Sequence, residues 1–240
     1  MRRKITNKIL YFAGVITVAY TFPQIETSWF NANGRPLGNK FIVLASLNDV
    51  NIVRNFVALV LIIIGIVTLR VVFNPNRTKS IEYISDFQKE FRNEIKEVGF
   101  TSKISFSVLF IVTTIFLLIK IMPFFVSDAI NDKSLILNLV LFVAPMSLAE
   151  EVIFRYGIFK YIRQMHVNVI ISYLISAIIF GLGHFYKNNE FPPVLSVIWV
   201  SAFGILLQMV YEGSGWSIYP SWAFHTLNNV AAILINIPRK

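Results

Sequence analysis

Cysteine is absent from this sequence of 240 residues. The chain therefore has no disulfide framework, no thiolate nucleophile and no cysteine-based metal site. Histidine is scarce, with three residues, so any metal ion would have to be held by histidine together with carboxylate. The sequence also lacks an HExxH motif, a glycine-rich phosphate loop and the Ser-His-Asp order of the serine hydrolases.

Charged residues make up 15% of the chain, whereas 55% are hydrophobic and the mean hydropathy is +0.64. Apolar windows of about 20 residues, enough for a helix to cross ~30 Å of hydrocarbon, recur along the sequence. Membrane strands alternate and are about half that length, which excludes a barrel. We predict an all-α, polytopic membrane helix bundle with helices at about 9–23, 52–73, 104–126, 134–161, 167–186, 192–211 and 216–237.

The number of transmembrane helices is predicted as seven, with eight as the alternative. The doubtful region is residues 37–47, which are too short to cross and would be re-entrant or interfacial. We treat the chain as one integrated membrane domain with two parts. Residues 1–130 form the N-terminal membrane helices, with an amphipathic linker at about 77–103 that lies on the membrane surface, and residues 131–240 carry the polar motifs.

The formal net charge of +9 raises the question of nucleic acid. The lysines and arginines are scattered over short loops between apolar spans, so the positive-inside rule explains them and nucleic acid is not an expected partner. By the same rule Arg2, Arg3 and Lys4 place the N-terminus in the cytoplasm of a multi-pass cell-membrane protein, with the linker on the same side.

Three charged residues lie within AEEVIFR, near the middle of the predicted helix 134–161. A charge at the centre of a spanning helix costs ~2.5–3.5 kcal/mol on insertion scales, so the cluster needs an explanation. Glu151 and Arg155 are four residues apart and share a helix face, which predicts an ion pair. Glu150 points about 100° away from Glu151 and is the carboxylate left over.

Two of the three histidines, His184 and His225, lie in later predicted helices, and helical rise places them at depths comparable to that of Glu150. Asn229 is one turn beyond His225 on the same face. The third histidine, His166, lies in a polar turn and is predicted to be a solvated loop residue. Phe180 is predicted to pack, beside Gly181 and Gly183, which would allow close helix approach.

A carboxylate with two imidazoles and a carboxamide suits water activation and oxyanion stabilisation. The glutamate would take a proton from water, and the histidine and asparagine donors would receive the charge that develops on a carbonyl oxygen. Amide hydrolysis at a polar site inside the membrane is the reaction that this set predicts.

The same residues carry a family resemblance. EEVIFR fits EExxxR, FGLGH fits FxxxH and HTLNN fits HxxxN, and in this order the three motifs are similar to those of the CPBP family. These are CAAX proteases and bacteriocin-processing enzymes, also called the Abi family, which are membrane-embedded glutamate-type endopeptidases. The resemblance implies that residues 131–240 form a CPBP-like catalytic helix bundle.

Carried over to this chain, the resemblance makes Glu150 the catalytic glutamate, with Glu151 and Arg155 as its supporting pair. It makes His184, His225 and Asn229 the other site residues. Metal dependence stays open: zinc bound by His184, His225 and Glu150 is the alternative to glutamate-activated water without an obligatory metal.

The sequence thus predicts an intramembrane endopeptidase that cleaves a membrane-associated or leader-bearing peptide, or a membrane protein, in bacteriocin maturation or self-immunity. A non-catalytic bacteriocin-immunity or binding protein is one alternative. A proton-coupled transporter that uses the charged cluster as a relay is the other, although the paired repeats or broken helices common in transporters are not visible in the sequence.

Overall fold

The computed structural model describes residues 6–18, 49–73, 84–100, 133–184 and 193–235. Within these ranges every regular element is a helix, which confirms the all-α prediction. The α-helices are α1 (residues 6–18), α2 (Asp49–Phe73), α3 (Ile84–Ile95), α4 (Lys133–Glu151), α5 (Tyr161–Gln164), α6 (Val169–Leu182), α7 (Pro193–Gly213) and α8 (Ile218–Ile235). The π-helical segment Val152–Lys160 continues α4, whereas the residues that follow α3, Lys96–Phe100, contain a kink at which Gly99 leaves the helical region of φ and ψ.

Three helical stretches of the described chain are long and apolar enough to cross a membrane: Ile52–Phe73, Leu137–Gln164 and Val194–Gly213. Helix α6 is apolar but shorter. Helix α8 lies where a span was predicted and is not among the three; it carries several polar residues of the motifs. The predicted helix 104–126 and the segment 37–47 lie outside the described residues, so the total of seven or eight spans stays a prediction.

The main hydrophobic core surrounds the segment Val152–Lys160, in which every residue is buried. This segment joins α4 to α5, and the three together form the span Leu137–Gln164. Helix α1 packs against it: the Tyr11 hydroxyl donates to the Gly157 carbonyl over 2.6 Å, and its ring stacks on Tyr161 with centroids 3.8 Å apart. π-Helical turns are rare and are frequent at functional sites, and this one begins directly after the two glutamates.

The predicted amphipathic linker is helical over Ile84–Ile95, and its apolar residues Phe87, Phe91 and Ile95, with Val98 beyond the helix, pack against the main core. Helix α3 is therefore held by the protein along this face, and its position on the membrane surface stays a prediction. Glu94 also fixes α3 in this position. Its buried carboxylate accepts hydrogen bonds from Arg70 Nε over 3.2 Å and from the Tyr156 hydroxyl. Three helical segments thus share one buried ion pair.

Two further contacts set the position of α4. The Asn55 side-chain amide of α2 donates to the Phe142 carbonyl over 3.0 Å, and the Trp222 indole of α8 donates to the Ala144 carbonyl over 2.8 Å. Both carbonyls lie on α4 N-terminal to the glutamates. Hydrogen bonds from α2 and α8 therefore fix this helix just before the charged motif. The start of α8 is in turn packed against the linker at Gly99.

Gly99 generates a stability prediction, because its φ of +98° lies in the left-handed region and a Cβ there would be 2.2 Å from the Trp216 carbonyl oxygen. Gly99→Ala should lower the free energy of unfolding by about 1–3 kcal/mol through backbone strain alone, and further through the clash. The measurement is the Tm of the purified protein in detergent. Gly65→Ala is the matched control, since a Cβ at Gly65 meets no atom within 4 Å; an equal loss in both variants would contradict the packing described.

Candidate active site

The charged motif lies at the junction between α4 and the π-helical segment, where Glu151 and Arg155 are both completely buried. The predicted ion pair is present: Arg155 Nε donates to Glu151 Oε2 over 3.1 Å. The second oxygen of Glu151 has a partner that the sequence did not predict, because His225 Nδ1 lies 2.8 Å from Oε1. Glu151 therefore binds one cation on its own helix and one imidazole on α8.

Glu150 faces the other two elements of the motif set. Its Oε2 atom lies 3.5 Å from His184 Nε2 and 3.5 Å from His225 Nε2. The structure thus brings Glu150 together with both predicted histidines, one from the end of α6 and one from α8. The His184 side chain is 19% exposed and that of His225 is 3% exposed, so the site is reached from the His184 side.

The hydrogen bonds of the two histidines determine their tautomers. His184 Nδ1 lies 2.9 Å from the Phe180 carbonyl oxygen, and His225 Nδ1 faces the Glu151 carboxylate. Since a carbonyl and a carboxylate only accept, both Nδ1 atoms carry hydrogen and both Nε2 atoms turn toward Glu150. A proton on either Nε2 or on Glu150 would make these contacts attractive.

Phe180 was predicted to pack, and its ring lies at the centre of the site. The ring centroid is 4.7 Å from that of His184 and 5.9 Å from that of His225, and the Arg155 guanidinium carbon is 4.6 Å from it. A cation over an aromatic face is attracted to the ring electrons. Phe180 therefore separates the charged pair from the rim while it fixes the orientation of both imidazoles.

Arg155 is held by few groups. Its Nη1 and Nη2 atoms are buried and have no hydrogen-bond partner among the described residues, so Glu151 and the face of Phe180 are the contacts that stabilise the guanidinium there. A buried cation with this little support depends strongly on its carboxylate.

Asn229 lies against α4 one turn before Glu150, where its amide nitrogen is 3.3 Å from Ser147 Oγ. The sequence analysis did not single out Ser147. Its position three residues before Glu150 puts both on the same side of the helix, and this spacing could have identified it as a neighbour of the site. The buried Ser147 holds the Asn229 carboxamide beside the glutamate turn.

The glycines that accompany Phe180 behave differently from each other. A Cβ at Gly181 would lie 2.2 Å from Ser201 Oγ and 2.6 Å from the Val197 carbonyl oxygen, so α6 and α7 approach closely because this residue is glycine. At Gly183 the nearest such contact would be 3.3 Å, to the Phe180 carbonyl oxygen. The predicted close approach is confirmed at Gly181.

His166 lies apart from this cluster, in the turn between α5 and α6, and is exposed as predicted. Within the described residues, no group of three histidine, cysteine, aspartate or glutamate side chains is arranged so that it could hold a metal ion. Zinc bound by His184, His225 and Glu150 therefore stays the alternative, and no step proposed below is routed through a metal.

Comparison with known proteins identifies this region. Residues 132–231 match the family model described as Rce1-like, type II CAAX prenyl endopeptidase Rce1-like. The match confirms the resemblance to the CPBP and CAAX proteases and supports a membrane-embedded endopeptidase in general terms. No curated protein and no solved structure matches the chain significantly.

The burial of the ion pair predicts a large effect of Arg155→Ala. Removal of the guanidinium leaves the buried Glu151 charge with the His225 contact alone, and breaking a buried pair costs about 3–5 kcal/mol, so Tm and folded yield in detergent should both fall. Arg92→Ala is the control, because Arg92 is exposed and surface substitutions usually change stability by at most about 0.5 kcal/mol. A Tm loss no larger than that of the control would show that the buried pair is not needed for stability.

Proposed function

We propose that this chain, whose residues 132–231 form an Rce1-like domain of the CAAX protease family, is an intramembrane endopeptidase in which Glu150 activates water. The observation that carries the proposal is the placement of Glu150 Oε2 at 3.5 Å from the Nε2 atoms of both His184 and His225. A carboxylate with two ring nitrogens turned toward it can accept a proton from water and pass it on.

In the proposed reaction, a water molecule lies between Glu150 and His184, on the more exposed side of the site. Glu150 takes a proton from this water as its oxygen attacks the peptide carbonyl carbon. Glu150 then gives the proton to the leaving nitrogen as the C–N bond breaks. The products are a carboxyl group and an amine, and no redox step or bound group is required.

His225 is the proposed donor to the developing oxyanion. Its Nδ1–H is bound by Glu151, so a proton on Nε2 makes it an imidazolium whose positive charge Glu151 stabilises. A buried carboxylate orients a catalytic histidine in the same way in serine hydrolases. Arg155 acts through Glu151 and is a positioning residue, since it contacts that carboxylate and the ring of Phe180.

Asn229 is the second proposed oxyanion donor. One of its amide hydrogens is directed at Ser147 Oγ, which holds the carboxamide in place and leaves the other hydrogen for the substrate. Donors placed in advance around a developing charge supply large transition-state stabilisation in a water-poor site.

The proposed substrate is a membrane-associated or leader-bearing peptide, or a membrane protein. Glu150 lies within the span Leu137–Gln164, so a scissile bond has to reach it from within or beside the bilayer. The matching family model is described as a type II CAAX prenyl endopeptidase. For this chain we propose a role in bacteriocin maturation or self-immunity in the cell membrane, with the N-terminus in the cytoplasm.

The two alternatives predict different behaviour. A non-catalytic immunity protein would bind its peptide even when Glu150 cannot accept a proton. A proton-coupled transporter would move solute without cleaving peptides. Cleavage of a quenched peptide library by the purified protein in detergent separates the peptidase from both.

The sharpest test compares the two adjacent glutamates. Glu150→Gln keeps the shape of the side chain but cannot accept a proton, so cleavage should fall by the ~10²–10⁴-fold that a general base supplies, with little change in Tm. Glu151→Gln weakens the contacts to Arg155 and His225, so we expect residual cleavage and a lower Tm. Both variants are measured for peptide cleavage and melting.

The other site residues extend this test. His184→Ala and His225→Ala should be folded and nearly inactive, and Asn229→Ala should be weaker by ~10²–10³-fold if its amide is an oxyanion donor. If Glu150→Gln retains cleavage and Glu151→Gln loses it, Glu151 is the general base and Glu150 the supporting residue. Full cleavage in both would refute the glutamate mechanism.

The zinc alternative is tested separately, by elemental analysis of the purified protein. We expect no stoichiometric zinc, because the three candidate ligands come from separate helices and no HExxH motif arranges two of them in advance. Stoichiometric zinc, together with activity that a chelator abolishes and zinc restores, would replace the proposed mechanism with a metal-assisted one.

A further inference from the structure

A second polar site lies at the end of the motif-bearing helix, away from the glutamates. An open cavity of about 540 Å³ is lined there by Lys160, Arg163 and Gln164 from the end of the span, and by Glu97, His166 and Trp216 from neighbouring segments. The wall carries two cationic side chains, Lys160 and Arg163, and each is paired with a carboxylate, Glu97 or Glu212, so the cavity offers hydrogen-bond donors rather than an excess of positive charge. None of these residues belongs to the proposed catalytic set.

The hydrogen bonds within the wall leave mainly donors for a ligand. Lys160 Nζ uses two of its three hydrogens on the carbonyl and carboxylate of Glu97, and Arg163 uses Nε and Nη2 on Glu212. Gln164 Oε1 accepts from Arg70, so its Nε2 group remains. Among the described residues, the third ammonium hydrogen of Lys160, Arg163 Nη1 and the Gln164 amide group make no side-chain hydrogen bond, so they are available to an acceptor-rich ligand.

Glu97 is the one carboxylate on this wall. Its side chain is 55% exposed and one of its oxygens is bound to Lys160, so it lies at the mouth of the cavity, where water screens it. It reduces the positive charge without closing the site.

Unusual backbone dihedral angles provide a separate observation on the same cavity. Among the described residues, His166 and Trp216 are the two non-glycine residues with positive φ, at 60° and 65°, and both line it. A bulky residue in the left-handed region is uncommon, and such strained positions cluster at ligand-binding and functional sites. Two of them from distant parts of the sequence meet here.

The surroundings favour a lipid as the source of the ligand. The cavity lies at the end of the span Leu137–Gln164, and α6 begins beside it with an exposed apolar face at Val169, Ile170, Leu174 and Ile178. Tryptophan, lysine and arginine at the end of a span are suited to the headgroup region. A phosphate held in the cavity would let acyl chains run along this face of α6.

We propose that this cavity binds the phosphate of an anionic phospholipid headgroup, with Arg163, Lys160 and Gln164 as donors and Trp216 at the headgroup level. Basic pockets between helices at a membrane surface bind such headgroups. The site is independent of peptide hydrolysis, and its occupancy ties the end of the catalytic helix to the membrane interface.

The test measures Tm of the full-length protein in phosphate-free detergent, with added phosphatidylglycerol, phosphatidylcholine or inorganic phosphate. We expect phosphatidylglycerol to raise Tm more than phosphatidylcholine, because the choline cation would meet Lys160 and Arg163. Arg163→Gln should remove at least half of this difference. Each variant is compared with itself without lipid, so the lost Glu212 pair does not enter the result.

Two further variants make the result decisive. Gln164→Met removes one of the proposed donors and keeps a side chain of similar length, so a smaller phosphatidylglycerol effect in this variant decides the matter if Arg163→Gln does not fold. Arg92→Gln removes an exposed cation of α3 and should leave the lipid effect unchanged.

The three additives also identify the source of the phosphate. A rise with phosphatidylglycerol alone assigns the site to a lipid, whereas a rise with inorganic phosphate that Arg163→Gln also removes assigns it to a soluble phosphate group. Equal rises with the two lipids, or a rise that both cavity variants retain in full, would overturn the proposal. Peptide cleavage is not read in this assay, so its failure would leave the proposed peptidase activity untouched.

Discussion

The completely buried carboxylate of Glu151 is the interaction on which the rest of the site depends. A charge inside a spanning helix is unfavourable unless it is paired, and Glu151 is paired twice, with Arg155 at 3.1 Å and His225 at 2.8 Å. The first contact is within one helix and the second reaches α8. The same bond that neutralises the carboxylate therefore orients the imidazole and connects the two helices that carry the site.

Glu150 and Glu151 are adjacent, yet the fold gives them different surroundings. Glu151 is turned into the core and both its oxygens have fixed partners, whereas Glu150 faces His184 at the accessible rim. A carboxylate whose partners are two ring nitrogens at 3.5 Å can exchange a proton more readily than one locked by a guanidinium. This difference in surroundings, rather than in chemistry, underlies the division of roles that we propose for the two residues.

A second set of ion pairs lies near the other end of the π-helical segment. The buried pair of Arg70 and Glu94 also accepts a hydrogen bond from the Tyr156 hydroxyl, and Lys160 binds Glu97, whose side chain is largely exposed. The motif-bearing helix is therefore fixed by polar contacts at the glutamates and again where the span ends. Between them lies a fully buried segment of nine residues, so displacement of one end would disturb packing along the whole stretch.

Local spacing in the sequence was enough to predict the helices that the structure describes, the Glu151–Arg155 pair and the comparable depth of His184 and His225, because helical rise and rotation are constant over short distances. It did not predict the His225 contact to Glu151 or the Ser147 contact to Asn229. Those contacts depend on how far each helix is rotated and shifted against its neighbours. Side-chain packing decides that rotation and shift, and only the tertiary structure contains it.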